Sequence, residues 1–139
     1  MSGVPGALPL RVLIADDSKP VAEMLCELIS EAGRIEVVGT ADSEASTLAA
    51  IRGLAPDAVV LDLQLRDGSG TDVIRAVRAD AGLAAIHLLV TSNHTSPPLK
   101  AACLEMGAQA YFDKVKELAG LAARLAALAD AKAGAARGP

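Results

Sequence analysis

Aromatic side chains are nearly missing from this 139-residue chain: it holds one Tyr, one Phe and no Trp. Tyr111 and Phe112 therefore offer no row of rings on which single-stranded nucleic acid could stack, and the core has to be aliphatic. Excess positive charge is missing too. Thirteen Lys and Arg against seventeen Asp and Glu give a formal net charge of −4, which argues against a phosphate-backbone binder and direct contact with nucleic acid. The two cysteines, Cys26 and Cys103, stand alone without CxxC or Cys/His spacing, so neither a disulfide framework nor a zinc site is expected. No apolar run approaches the roughly 20 residues of a membrane span, and MSGVPGALPL lacks a basic, then apolar leader pattern. A cytoplasmic chain with no membrane partner is the expectation.

What is present is apolar and rhythmic. Hydrophobic residues make up 52% of the chain, enough for one compact domain at this length. Residues 1–9 and 134–139 read as loose tails around a body at 10–133. In the body, five short β-type runs alternate with five segments of helical periodicity, the rhythm of βα units around a parallel sheet. The runs are Arg11–Ala15, Glu36–Thr40, Ala58–Leu61, Ile86–Val90 and Gln109–Phe112. The first helix is expected from about Pro20, with Met24, Leu25, Leu28, Ile29 and Ala32 as its buried stripe and Gly33 as its stop. The second spans about Ser43–Gly53, the third carries Val73, Ile74 and Val77, and the fourth begins near Pro97-Pro98 with Leu99, Ala102, Cys103 and Met106. In the last, Leu118, Leu121, Leu125 and Leu128 form a stripe for the sheet; two heptads are too few for a coiled coil.

The polar residues fall where such a sheet binds ligands. Asp16-Asp17 follow strand one, Asp62 strand three, Thr91 strand four and Lys114 strand five, all at carboxyl ends that converge on one crevice. Capping of helix one is the plainer reading of Asp16-Asp17 taken alone. Carboxylates about 5 Å apart repel by roughly 3 kcal/mol per pair at an effective dielectric near 20. A cation is the remedy, and all-oxygen ligands with few carboxylates suit Mg²⁺ retaining water better than Zn²⁺ or Ca²⁺. A Thr hydroxyl and a Lys beside such a cluster suit phosphoryl oxygens, and a carboxylate there can be the nucleophile; Asp62, alone on the central strand, is the candidate. The Gly-Ser-Gly at 68–70 lacks nucleotide-loop spacing and reads as a turn.

IADD, LDLQLRDGSG, LLVTS and AYFDK occur in the order and spacing of the response-regulator receiver family, which the whole body of the chain resembles. The resemblance implies a flavodoxin-like (βα)5 doubly wound α/β fold with parallel strand order 2-1-3-4-5. It implies Asp62 as phospho-acceptor, Asp17 and Asp62 as direct Mg²⁺ ligands, Asp16 as a ligand through water and Gln64 through its backbone carbonyl. Thr91 and Lys114 would hold phosphoryl oxygens, Thr91 and Tyr111 would form the switch, and Gly70 matches the family's glycine. Gln64 and Asn93, each two residues past a site residue, would tune dephosphorylation: an amide orients water but cannot take its proton. His94 reads as a solvated loop residue and His87 as structural.

Two departures stand out: Arg66 and Val115 occupy positions where receivers commonly carry proline, the second with a cis peptide, so these loops are expected to differ. The implied activity is phosphoryl acceptance from a histidine kinase or histidine phosphotransfer protein, without catalysis on other molecules. Output would pass through helix four, strand five and helix five, residues 97–128, as Tyr111 turns from exposed to buried, in a monomer or weak phosphorylation-dependent dimer. Rival readings are a phosphorylation-independent pseudo-receiver, the receiver fragment of a longer transcription regulator, and a Mg²⁺-dependent phosphatase. The last is disfavoured because the residues after strand one are Asp-Asp, not DxD.

Overall fold

A computed structural model describes residues 8–31, 34–94 and 96–137. Five main strands, β1 (Leu10–Ala15), β2 (Ile35–Ala41), β3 (Ala58–Asp62), β4 (His87–Ser92) and β5 (Ala110–Asp113), alternate with five helices. These are α1 (Lys19–Ile29), α2 (Glu44–Leu54), α3 (Gly70–Arg78), α4 (Pro97–Met106) and α5 (Leu118–Arg137). The strands are parallel, in the order β2-β1-β3-β4-β5, as expected. Between β3 and α3, Gln64–Leu65 and Gly68–Ser69 pair antiparallel as a small ribbon.

The continuous apolar runs of β1 and β3 follow from burial on both faces, with successive side chains entering opposite cores. Val12, Ile14, Val60 and Leu89 meet Leu25, Ile29, Leu121 and Leu125 from α1 and α5. Leu13, Val59, Leu61 and Leu88 meet Ile51, Val73, Ile74, Val77 and Cys103 from α2, α3 and α4. Serine side chains accept backbone N–H bonds at four helix starts, Ser18, Ser43, Ser69 and Ser96, fixing where each strand-to-helix loop ends.

Several boundaries and faces differ from the sequence reading. In α1 the buried residues are Ala22, Leu25 and Ile29, whereas Met24 and Leu28 are each 45% exposed. Two overlapping stripes at helical spacing share Leu25, and the rotation that seats Ala22 and Ile29 against β1 and β2 turns the other outward. In α4 only Cys103 is buried and Ala102 is exposed. Strand β4 runs on through Thr91 and Ser92, which pair with Phe112 and Asp113. Helix α5 continues to Arg137, beyond the body end expected at 133. Ala32, Gly33, residues 1–7 and residues 138–139, on which a stripe position, a helix stop and parts of the tails were placed, lie outside the described residues. Among the described residues, no helix is long and apolar enough to cross a membrane.

Candidate functional site

The carboxyl ends of β1, β3, β4 and β5 bring Asp16, Asp17, Asp62, Thr91 and Lys114 to one place. Carboxylate oxygens of Asp16, Asp17 and Asp62 lie within 4.8 Å of one another. Asp16 and Asp62 are buried, at 3% and 4% exposure, while Asp17 is exposed at the mouth. Their charge is met from β5: Lys114 Nζ donates to Asp16 Oδ2 at 2.5 Å and to Asp62 Oδ2 at 2.8 Å.

Local backbone chemistry holds each group. Asp16 Oδ1 accepts the Ser18 N–H at 2.9 Å, which ties the acidic turn to the N-cap of α1. Asp62 Oδ1 accepts the Gln64 N–H at 3.0 Å, which orients the carboxylate from its own loop. The Lys114 N–H donates to the Ser92 carbonyl at 2.9 Å, keeping the lysine in sheet register just past β5. Gly70 is required by a close approach: a Cβ there would lie 2.4 Å from the Asp62 carbonyl oxygen. Val115 closes its turn in a way proline could not, since its N–H donates to Asp113 Oδ1 at 2.7 Å.

Burial pushes the Asp62 carboxyl above its ordinary value; the Lys114 and Gln64 hydrogen bonds oppose this, and the Asp16 charge adds to it. Burial pulls Lys114 down, but its hydrogen bonds to Asp16 and Asp62 outweigh that and raise it, so the ammonium stays charged. Thr91 sits beside Asp62 in the β3–β4 register and is fully buried. Among the described residues its Oγ1 has no hydrogen-bond partner. Such an atom costs about 1–3 kcal/mol, so a buried donor aimed at nothing is a place prepared for an incoming acceptor.

Tyr111 departs from the expectation of an exposed ring. It is 3% exposed and its hydroxyl donates to the His94 carbonyl at 3.0 Å. The ring packs into the core cluster of β1, β3, β4 and helices α2–α4. His94 is exposed, but its carbonyl also accepts the Ser92 hydroxyl, so its backbone is a fastening point of the β4–α4 loop. Gln64 and Asn93 are both exposed, and Asn93 lines an open cleft with His94, Leu99 and Val115. The sequence reading missed the bonds joining Arg66 to Asp42: Arg66 Nη2 reaches Asp42 Oδ1 at 2.8 Å, and the Arg66 N–H donates to the Asp42 carbonyl at 2.9 Å. Twenty-four positions separate the pair, and no local pattern links them.

An all-oxygen donor set of two buried carboxylates and one exposed one, without His or Cys, fits a hard divalent cation that keeps water, and the unpartnered Thr91 hydroxyl fits a phosphoryl oxygen.

The family described as "Response regulator receiver domain" matches residues 12–126. The chain is 37% identical over 117 residues, 84% of its length, to the DNA-binding response regulator MtrA of Mycolicibacterium smegmatis, covering 49% of that protein. It is 34% identical over 111 residues, 80% of its length, to protein-glutamate methylesterase/protein-glutamine glutaminase 5 of Myxococcus xanthus, covering 32% of that protein. The chain thus spans a third to a half of these curated relatives. Among solved structures, the signal receiver domain of the response regulator NarL from Mycobacterium tuberculosis superposes with a TM-score of 0.79 at 28% identity, over 88% of this chain and 98% of that one.

Proposed function

Because the chain belongs to the receiver-domain family of two-component response regulators, we propose that it accepts a phosphoryl group on Asp62 and changes partner binding in response. The donor would be a phosphohistidine on a histidine kinase or a histidine phosphotransfer protein, with a small acyl phosphate as a substitute. A carboxylate oxygen of Asp62 bonds to phosphorus while the bond from phosphorus to the donor imidazole breaks; the bonding pair goes to the ring nitrogen, and the imidazole leaves neutral, keeping the proton on its other nitrogen. The observation that carries this reading is the placement of a buried carboxylate between a buried ammonium and a buried hydroxyl without a partner.

Lys114 holds one oxygen of Asp62 and one of Asp16, and its flexible stem lets the ammonium move onto a phosphoryl oxygen. The Thr91 hydroxyl donates to another. Asp16, Asp17, Asp62 and the Gln64 carbonyl would hold Mg²⁺, with Asp16 reached through water. When bound, Mg²⁺ supplies charge that offsets the carboxylates and the phosphoryl oxygens. Gln64 and Asn93 orient attacking water without accepting its proton, which makes self-hydrolysis slow. The signal leaves through α4, β5 and α5, where Thr91 and the inward Tyr111 meet the β4–α4 loop. The reading is of a cytoplasmic switch, monomeric or weakly dimeric on phosphorylation, with no catalysis on other molecules.

Intact mass after incubation with acetyl phosphate and Mg²⁺ tests the reading. One phosphoryl group should add to the parent chain and none to Asp62→Asn. An unmodified parent, or a modified Asp62→Asn chain, overturns it.

A further inference from the structure

The two loops that carry the acidic site are fastened to consecutive residues at the end of β2. The Asp16 N–H donates to the Ala41 carbonyl at 2.9 Å, and the Arg66 N–H donates to the Asp42 carbonyl, also at 2.9 Å. Ala41 ends β2 and Asp42 follows it, so one peptide unit spans the distance between the acidic turn and the Gln64–Ser69 ribbon. The backbone bond from Arg66 to Asp42 sets Arg66 in parallel register with Ser43, and the ribbon is held at one more point, where the Ser69 N–H donates to Glu44 Oε1 at 3.1 Å. Arg66 adds the single ion pair in this set, to Asp42 Oδ1 at 2.8 Å.

Resting on the receiver reading, we propose that Arg66 is a positioning residue for the metal site: its tie to Asp42 sets the spacing between Asp16-Asp17 and the Gln64 carbonyl. The ribbon's turn needs such a tie. Asp67 has a φ of 53° and Gly68 a φ of 150°, both left-handed; buried Leu65 anchors the ribbon's first strand in the core, and the exposed turn beyond it is fastened through the bonds of Arg66 and Ser69. Gln64 lies two residues from Arg66 on one side and two from Asp62 on the other, its N–H already committed to Asp62 Oδ1. A displacement of the ribbon therefore moves the Gln64 carbonyl and the acceptor carboxylate together.

The sign of one substitution separates this role from plain electrostatics. Removing a positive charge near three carboxylates should tighten binding of a divalent cation if charge alone mattered. If Arg66 acts by holding the ribbon, Arg66→Ala should weaken it.

Calorimetric titration of the full chain with Mg²⁺ is the test. Arg66→Ala should bind roughly two- to five-fold more weakly than the parent at low ionic strength, the range set by an exposed ion pair. The reversed pair, Asp42→Arg with Arg66→Asp, should restore most of the loss. Near molar salt, where the Debye length is about 3 Å, the ratio between Arg66→Ala and parent should shrink. Amide exchange at Gln64 and Arg66 should speed up in Arg66→Ala while the thermal midpoint stays the same. If the parent binds Mg²⁺ and Arg66→Ala binds as well or better, the positioning role is overturned and the receiver reading stands. Loss of affinity that the reversed pair leaves unrepaired also overturns it. Absence of Mg²⁺ binding by the parent overturns both.

Discussion

At the amino ends of the strands, Arg78 donates to the carbonyls of Gly107, Ala84 and Ile86 and to Gln109 Oε1; at the carboxyl ends, two carboxylates share one ammonium and a buried hydroxyl has no partner among the described residues. At the amino ends, too, Asp57 Oδ2 accepts the Arg11 N–H at 2.8 Å and Lys132 Nζ at 2.7 Å, while Gln109 Oε1 also accepts the Leu88 N–H at 2.6 Å. There each of these polar side chains joins segments of the fold by hydrogen bonds to other parts of the chain. At the other end hydrogen-bonding capacity is left over: burial raises Asp62, and Thr91 Oγ1 lacks an acceptor among the described residues. Polar groups satisfied by the fold stabilise it, and polar groups left unsatisfied in a converging cluster mark where something else is to bind.

Substitutions at the two ends should therefore fail in different ways. Asp62→Asn should abolish phosphorylation altogether, read by intact mass, and yet raise stability in denaturant titration, because burial disfavours the ionised carboxyl in the folded state. Lys114→Ala leaves Asp16 and Asp62 facing each other and should cost about 3 kcal/mol without divalent cations. Added Mg²⁺ should recover much of that, and Mg²⁺ affinity should not fall. Arg78→Ala strands three carbonyls and should cost about 2 kcal/mol, with the folded fraction still phosphorylated. Loss of phosphorylation in folded Arg78→Ala would erase the distinction between the two ends. Tyr111→Phe should cost under about 1 kcal/mol and free the β4–α4 loop at His94, visible as faster amide exchange there.

Acidity sharpens the same contrast. The folded pKa of Asp62 lies above its unfolded one, so the folded state holds the proton more tightly; the group's contribution to stability is greatest at low pH and declines as pH rises from about the ordinary 3.8 through the folded value. Phosphoryl acceptance needs the carboxylate, so its rate should begin to fall on acidification at a higher pH than an ordinary aspartate would give. Lys114 works in the opposite range. Its raised pKa contributes stability present below 10.5 and lost as pH rises through the folded value.

Strand order and the convergence of Asp16, Asp17, Asp62, Thr91 and Lys114 were legible because both depend on short-range signals: an apolar run and the polar residue that ends it. Asp16, Asp62, Thr91 and Lys114 follow their strands directly or lie in their last residues, and a parallel sheet does the rest. The buried face of α1 was not legible, since Leu25 belongs to two stripes and only the neighbouring strands decide between Ala22 with Ile29 and Met24 with Leu28. The inward Tyr111 depends on a carbonyl seventeen residues away, and the Arg66 tie on a loop twenty-four residues away. Contacts of that length leave no periodicity, and Arg66 showed itself only as an arginine in a proline's place.

Lys114 is 98 residues from Asp16 and 52 from Asp62 along the chain, which gives the site an order of assembly. During synthesis β1, β2 and β3 emerge before β5, and any pairing of them as in the finished sheet brings the two carboxylates to within 4.8 Å before the lysine has been made. At an effective dielectric near 20 that encounter is unfavourable by roughly 3 kcal/mol. The first half of the nascent chain is therefore held back by the pair that the finished protein depends on, and docking of the last strand, when it delivers the ammonium, is favoured by the same amount. Completion of the sheet is thereby coupled to completion of the chain: a ribosome stalled before residue 114 would leave a partial sheet that opens readily and refolds cooperatively once β5 follows.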